Sequence, residues 1–225
     1  MVPGLVNSNR AATVGERTQA ILLVAAEPRE FSGLLRHCRN VRPLPWPIDY
    51  ARSATLRGRE VVLAANGAGS RRAASCVDAA FQNGGAAAVA SIGFCGALDP
   101  DLKLAQVVTD NVATIDRVAT TVAEKAHLRA TGASAVEMEA AGVAERARAY
   151  GVPFHCIKAV TDLAGENLSI DYNSALRPDG HFDTIYILRS AISRPSERMP
   201  ELYRIWRRTS VAARALGEFL ARYGF

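Results

Sequence analysis

The sequence has no uninterrupted apolar run of about 18 residues, the length a membrane-spanning helix requires, so no span is expected. Residues 1–18 are polar, carry Gly, Asn and Arg, and lack the apolar core of a signal peptide; they read as a flexible leader. Cysteine is sparse and scattered. Cys38, Cys76, Cys95 and Cys156 make no CxxC pair and no metal spacing with the equally dispersed His37, His127, His155 and His181. Free thiols in a reducing cytoplasm follow, with no metal site. No dinucleotide fingerprint follows the first apolar strand, which argues against a nucleotide-cofactor oxidoreductase, and no cofactor is expected. The net charge of +5 comes from arginine rather than lysine. It lacks the aromatic-interleaved basic repeats of a nucleic-acid binder, so a solvated basic face is the simpler reading.

What is present is enough apolar material, 49% of 225 residues, to bury a substantial core. Residues 20–26 (AILLVAA) form a short continuous apolar run, the composition of a strand covered on both faces. A polar turn containing Glu27 and Glu30 leads into a helix through Phe31, Leu34 and Leu35. Alternation over 52–56 and 61–65 around Arg57-Gly58 predicts a hairpin. The segment NGAGS precedes a helix over 70–83. A buried strand over 86–92 runs into Gly93-Phe94-Cys95-Gly96, and a further strand is expected over 105–109. Helices are expected over 121–129 and 137–150, the latter ended by Gly151. A strand over 154–160 then delivers Thr161 and Asp162. Strands alternating with helices predict a single α/β domain over 19–225, with helices on both faces of a sheet. Ligands of such sheets bind beyond the carboxyl ends of the strands. Glu27, Glu30, Gly67, Gly69, Gly93 to Gly96 and Asp162 all fall there.

The C-terminal segment reads as one amphipathic helix. Leu202, Ile205, Trp206, Thr209, Ala212, Ala213, Leu216, Phe219, Leu220 and Tyr223 share a face, and Arg204, Arg207, Arg208, Arg214 and Arg222 lie largely off it. Packing on the domain is one reading, and weak contact with an anionic membrane surface is the other.

Three acidic elements carry the candidate chemistry. Glu137-Met138-Glu139 sets two carboxylates around a methionine at an expected helix start, where the helix dipole favours them. Glu139 suits vicinal sugar hydroxyls as an acceptor, and Met138 offers a soft apolar surface beneath a ribose. Asp162, directly after a buried strand, either caps the next segment or protonates a leaving base. Glu30 or Glu27 stands where a carboxylate would activate water, by analogy with the two-carboxylate logic of glycoside hydrolysis. The Gly67/Gly69 loop is either an anion cradle or a tight turn.

These elements, in this order, resemble the purine nucleoside phosphorylase/methylthioadenosine–adenosylhomocysteine nucleosidase superfamily. The matching pieces are ILLVAAEPRE, NGAGS, SIGFCGALDP, AVEMEAAGVAERA and VPFHCIKAVTDLAGE. The resemblance implies a three-layer α/β/α fold with a central mixed sheet, homo-oligomers, and cleavage of a nucleoside N-glycosidic bond by water or phosphate. It implies that Glu139 binds ribose beside Met138, with Glu137, Cys95 and Gly96 lining the substrate site. Asp162 becomes the purine-side acid, Glu30 before Glu27 the water-activating base, and Val118 a residue touching the base. The run from Asp116-Arg117-Val118 onward, with the tail around Ile187-Leu188-Arg189, looks most like the hopanoid-associated phosphorylase group, whose implied substrate is a lipid nucleoside.

Two departures qualify the transfer. Ser91 and Phe94 stand where phosphorylases carry a phosphate-binding arginine and serine, which favours water while admitting phosphate as a co-substrate. The connection 109–115 is short where the family has several tens of residues completing the pocket. Cleavage of an adenine-type nucleoside is therefore the expected function, and a catalytically impaired nucleoside-binding or partner subunit is the alternative.

Overall fold

The computed structural model describes residues 20–225; the leader expected over 1–18 lies outside the described residues. Four parallel strands form the centre: β1 (Ile21–Ala25), β4 (Arg59–Ala65), β5 (Ala88–Ala97) and β9 (Phe154–Asp162). Here β1 lies between β4 and β5, and β9 lies on the far side of β5. At one edge β2 (Cys38–Pro43) and β3 (Tyr50–Leu56) continue antiparallel from β4. At the other, β8 (Ala135–Glu137) pairs antiparallel with the end of β5 and parallel with β7 (Val112–Thr114). The two-residue β6 (Val107–Val108) pairs antiparallel with β9. The sheet is mixed, as the resemblance implied.

Alternation along β1 sorts its side chains into two cores, which is why helices cover both faces. Ile21, Leu23 and Ala25 join Phe31, Leu34, Ala212, Leu216 and Leu220; Leu22 and Val24 join Ala73, Cys76, Val77, Ala80, Val143 and Ala147. The first core is covered by α1 (Ser32–Leu35) and the long α7 (Pro195–Leu220), the second by α2 (Ser70–Gln82) and α4 (Ala140–Ala149). Helix α7 comes close because Gly33 and Gly217 meet backbone to backbone; a Cβ on either would collide with the other helix's main chain. The remaining helices are α3 (Val122–Arg129), α5 (Tyr172–Ala175) and α6 (Thr184–Ser193). Thr121 caps α3 by accepting from the Glu124 amide, and Asp183 caps α6 through the Tyr186 amide.

Several expectations are corrected. The helix expected from residue 137 begins at Ala140, because residues 135–137 are drawn into β8 by pairing with both β5 and β7. Gly93 to Gly96 belong to β5 itself rather than to a loop after it. Of the strand expected over 105–109, only Val107–Val108 pairs, since Ala105 takes a left-handed conformation at φ 61°. Trp206 is 63% exposed, so the buried face of α7 is the narrower set Ala212, Ala213, Leu216, Gly217 and Leu220.

Candidate active site

The ends of β1, β8 and β9 deliver the acidic residues to two charged centres along the last residues of β5. The first surrounds Gly93. The turn Pro28–Phe31 after β1 places Glu30 there, 6% exposed, in the space a side chain at Gly93 would need. Gly93 itself sits at φ 131°, a conformation open to glycine and costly for other residues. Lys158, fully buried on β9, donates to Glu137 Oε2 at 2.8 Å, to Glu139 Oε2 at 3.4 Å and to the Ile92 carbonyl at 3.1 Å.

The two glutamates flanking Met138 have different duties. Glu137, the last residue of β8, accepts from the Glu139 and Ala140 amides at 2.9 Å and from Thr114 Oγ1 at 2.5 Å. It thus caps α4 from outside the helix, where a negative charge meets the free N–H groups. Both oxygens of Glu137, expected to line the substrate site, are committed to these protein partners. Glu139 is released from capping. Its Oε1 accepts from the Gly69 amide at 3.1 Å.

Electrostatics divides these carboxyls. Burial, reinforced by the nearby Glu139 charge and only partly offset by Lys158, pushes Glu30 up to about 8. Burial likewise raises Glu139, against the pull of Lys158. Burial alone would raise Glu137 too, but Lys158 and the hydrogen bonds from Thr114 and the Glu139 amide hold it below the usual carboxylate range. Lys158 is driven up in turn: burial opposes its charge, and Glu137 and Glu139 overcome that.

The second centre surrounds Gly96. Asp162, at the end of β9, fills the space beside this glycine; a Cβ there would lie 2.9 Å from Oδ2. Lys125, wholly buried on α3, donates to Asp162 Oδ2 at 2.5 Å and to the carbonyls of Leu163 at 2.8 Å and Glu166 at 3.3 Å. Burial raises the Asp162 carboxyl above its ordinary value despite Lys125. Asp162 Oδ1 accepts from Thr161 Oγ1 at 3.2 Å, and the Thr161 hydroxyl also reaches the Cys95 carbonyl, at 3.3 Å. The Cys95 thiol, buried between the centres, is pushed up by desolvation and feels both Lys158 and Asp162.

The structure thus brings Glu30, Glu139, Asp162, Cys95 and Gly96 to one end of the sheet. Glu27 turns away to pair with Arg29 at 2.8 Å. Met138 lines a cleft of about 630 Å³ with Gly69, Ser70, Arg71, Arg72 and Arg177. Val118 is clasped through its backbone by Asn173, at 2.8 and 3.0 Å. Against the anion-cradle reading of the glycine loop, three of its amides already have partners. Gly67 donates to Ala26 and Ala68 to Gly180, while Gly69 donates to Glu139. Lys125 and Lys158 are not among the candidate residues that the sequence patterns single out. A signal was available: the chain has three lysines among 27 basic residues, and both fall in otherwise apolar or site-bearing segments.

Comparison with known proteins agrees with this fold. The family model of the phosphorylase superfamily matches residues 20–112 and 111–179, the break falling within the short connection 109–115. No curated protein matches the chain. Among solved structures, a 5′-methylthioadenosine/S-adenosylhomocysteine nucleosidase from S. pneumoniae superposes with TM-score 0.68 at 16% identity, covering 90% of this chain and 96% of that one. The corresponding nucleosidase from Neisseria meningitidis gives 0.64 at 18% identity, over 91% and 100%. The futalosine hydrolase of Helicobacter pylori gives 0.63 at 16% identity, over 90% and 96%. At these identities the likeness is one of fold.

Proposed function

The chain belongs to the phosphorylase superfamily, and from that premise we propose that it cleaves the N-glycosidic bond of an adenine-type purine nucleoside, using water in preference to phosphate. The observation that carries this reading is the pairing of carboxyls with glycines on β5: Glu30 over Gly93 and Asp162 over Gly96. The two-carboxylate logic of glycoside hydrolysis, one acid for the leaving group and one base for water, applies to this pair by analogy. In the proposed reaction Glu30 takes a proton from the water as its oxygen bonds to C1′. The C1′–N9 electron pair leaves with the purine, and Asp162 gives its proton to N7. Glu139 accepts from the ribose hydroxyls. Its buried Lys158 contact holds it in place for that.

Preference for water is supported by the environment a phosphate would meet. Ser91, in the phosphorylase-like position, is buried with its hydroxyl unpartnered inside the sheet, and the Gly67 and Gly69 amides are already used. The test is chromatographic: methylthioadenosine, adenosylhomocysteine and adenosine are incubated with the protein, with and without phosphate. Free adenine with free sugar, independent of phosphate, is expected; no base released from any of them defeats the reading. The short connection 109–115, with Lys125 already occupying one oxygen of Asp162, favours a second reading, a nucleoside-binding homologue with impaired catalysis. Calorimetric binding of adenine without turnover would select it.

A further inference from the structure

The described surface carries one large apolar feature that neither centre uses. On α6, Ile185, Leu188 and Ile192 stand out, 69%, 48% and 63% exposed; on α7, Met199, Tyr203 and Trp206 do the same, the last two at 60% and 63%. Spacings of three and four residues put each trio on one stripe of its helix. Monomeric proteins rarely leave such contiguous apolar surface to water without a partner. The two helices are joined by Arg198, which donates to Ser190 and Ser193, so the stripes belong to one unit.

Charge identifies the partner. Arg189, Arg194, Arg204 and Arg207 are exposed along these stripes. The two acids between Thr184 and Arg208 are spent. Glu201 is buried, accepting from Ser169 and Ile170, and Glu197 faces Arg194 at 4.0 Å. Arg204 and Arg207 enter no salt bridge among the described residues. They line, with Leu104, Ala105, Tyr203, Arg208 and Val211, a cleft of about 320 Å³ that joins apolar surface to arginines. A second copy docked by a twofold axis would set arginine against arginine. Protruding aliphatic tips with an adjacent Tyr–Trp pair suit a soft interface better than a shaped protein groove.

We propose that the α6–α7 face docks on a lipid bilayer bearing anionic headgroups, the apolar stripes entering the interface and the arginines meeting lipid phosphates. The proposal stands apart from the nucleoside reading, and either can fail alone. It is tested with the full chain and vesicles of phosphatidylcholine, with and without phosphatidylglycerol. Co-sedimentation is expected with the anionic vesicles at low salt, falling about fivefold for each of Arg204→Gln and Arg207→Gln. Tyr203→Ser with Trp206→Ser should lower it roughly tenfold or more. Both pairs change exposed side chains, and circular dichroism verifies that they fold. In a Trp46→Phe background, Trp206 emission should move to the blue on vesicle addition. Absence of binding, equal binding to neutral vesicles, or a dimer in light scattering that the same substitutions dissolve would each overturn the proposal.

Discussion

The carboxyl of Glu30 occupies the volume that any side chain at Gly93 would claim. Gly93→Ala must therefore move the carboxyl as well as strain a backbone held at φ 131°. Together these should destabilise the protein by about 3 kcal/mol and abolish base release. Gly96→Ala makes a useful contrast. Its Cβ would come within 2.9 Å of Asp162, whose side chain can give way, and the chain there needs no left-handed geometry. A smaller stability loss with a fall in kcat is expected. Urea unfolding of both variants, alongside adenine release, separates the two cases.

Glu30 also makes stability depend on pH. Its folded value of about 8 lies above the 4.5 of an unfolded glutamate, so between them the folded chain keeps a proton the unfolded chain has lost. Stability contributed by the neutral carboxyl is complete below about 4.5 and declines by roughly 1.4 kcal/mol per pH unit up to about 8. Glu30→Gln removes that slope. The variant should match the parent near pH 4.5 and exceed it by about 3 kcal/mol at pH 7, while losing hydrolysis. If the parent's urea midpoint does not fall between pH 5 and 8, the carboxyl is not held neutral. Where Glu30 is the base, turnover by the parent should rise as pH approaches 8.

Much of this arrangement was legible in the residues. The apolar strands, the glycines at their ends and the acids beside them follow from composition and period, because each depends on near neighbours in sequence. Glu137 and Glu139 show where that ends. Spacing marks both as helix-start carboxylates, yet which one caps and which faces the site is decided by Thr114 and Lys158, 23 and 19 residues away respectively. The outward turn of Trp206 was equally hidden. Its helical period matches the buried face, but before residue 212 the helix is held by polar contacts, Glu201 with Ser169 and Ile170 and Arg208 with Glu166, which leave Trp206 outside.

Lys158 tests how far the first centre is a structural unit. Lys158→Met keeps the volume and removes the charge, leaving Glu137 and Glu139 buried with their shared counterion gone. Breaking a buried pair from one side costs about 3–5 kcal/mol, and that loss should appear in thermal or urea unfolding at pH 7. The deficit should narrow at low pH, where the orphaned carboxyls take up protons. A loss that is constant with pH would assign Lys158 to packing alone.

Lys125 tests the second centre. Its ammonium sits 2.5 Å from Asp162 Oδ2 and opposes the burial that raises the carboxyl. Removing the charge in Lys125→Gln should leave burial opposed chiefly by the Thr161 hydrogen bond and move the Asp162 value further up. An acid that must donate its proton then stays competent to higher pH. The descending alkaline limb of kcat should shift upward in Lys125→Gln and return in Lys125→Arg, which restores the charge. A residue serving only to hold the 163–166 turn would lower kcat at every pH and leave the limb unmoved. The pH profile, more than the size of the rate loss, therefore decides whether Lys125 tunes the acid.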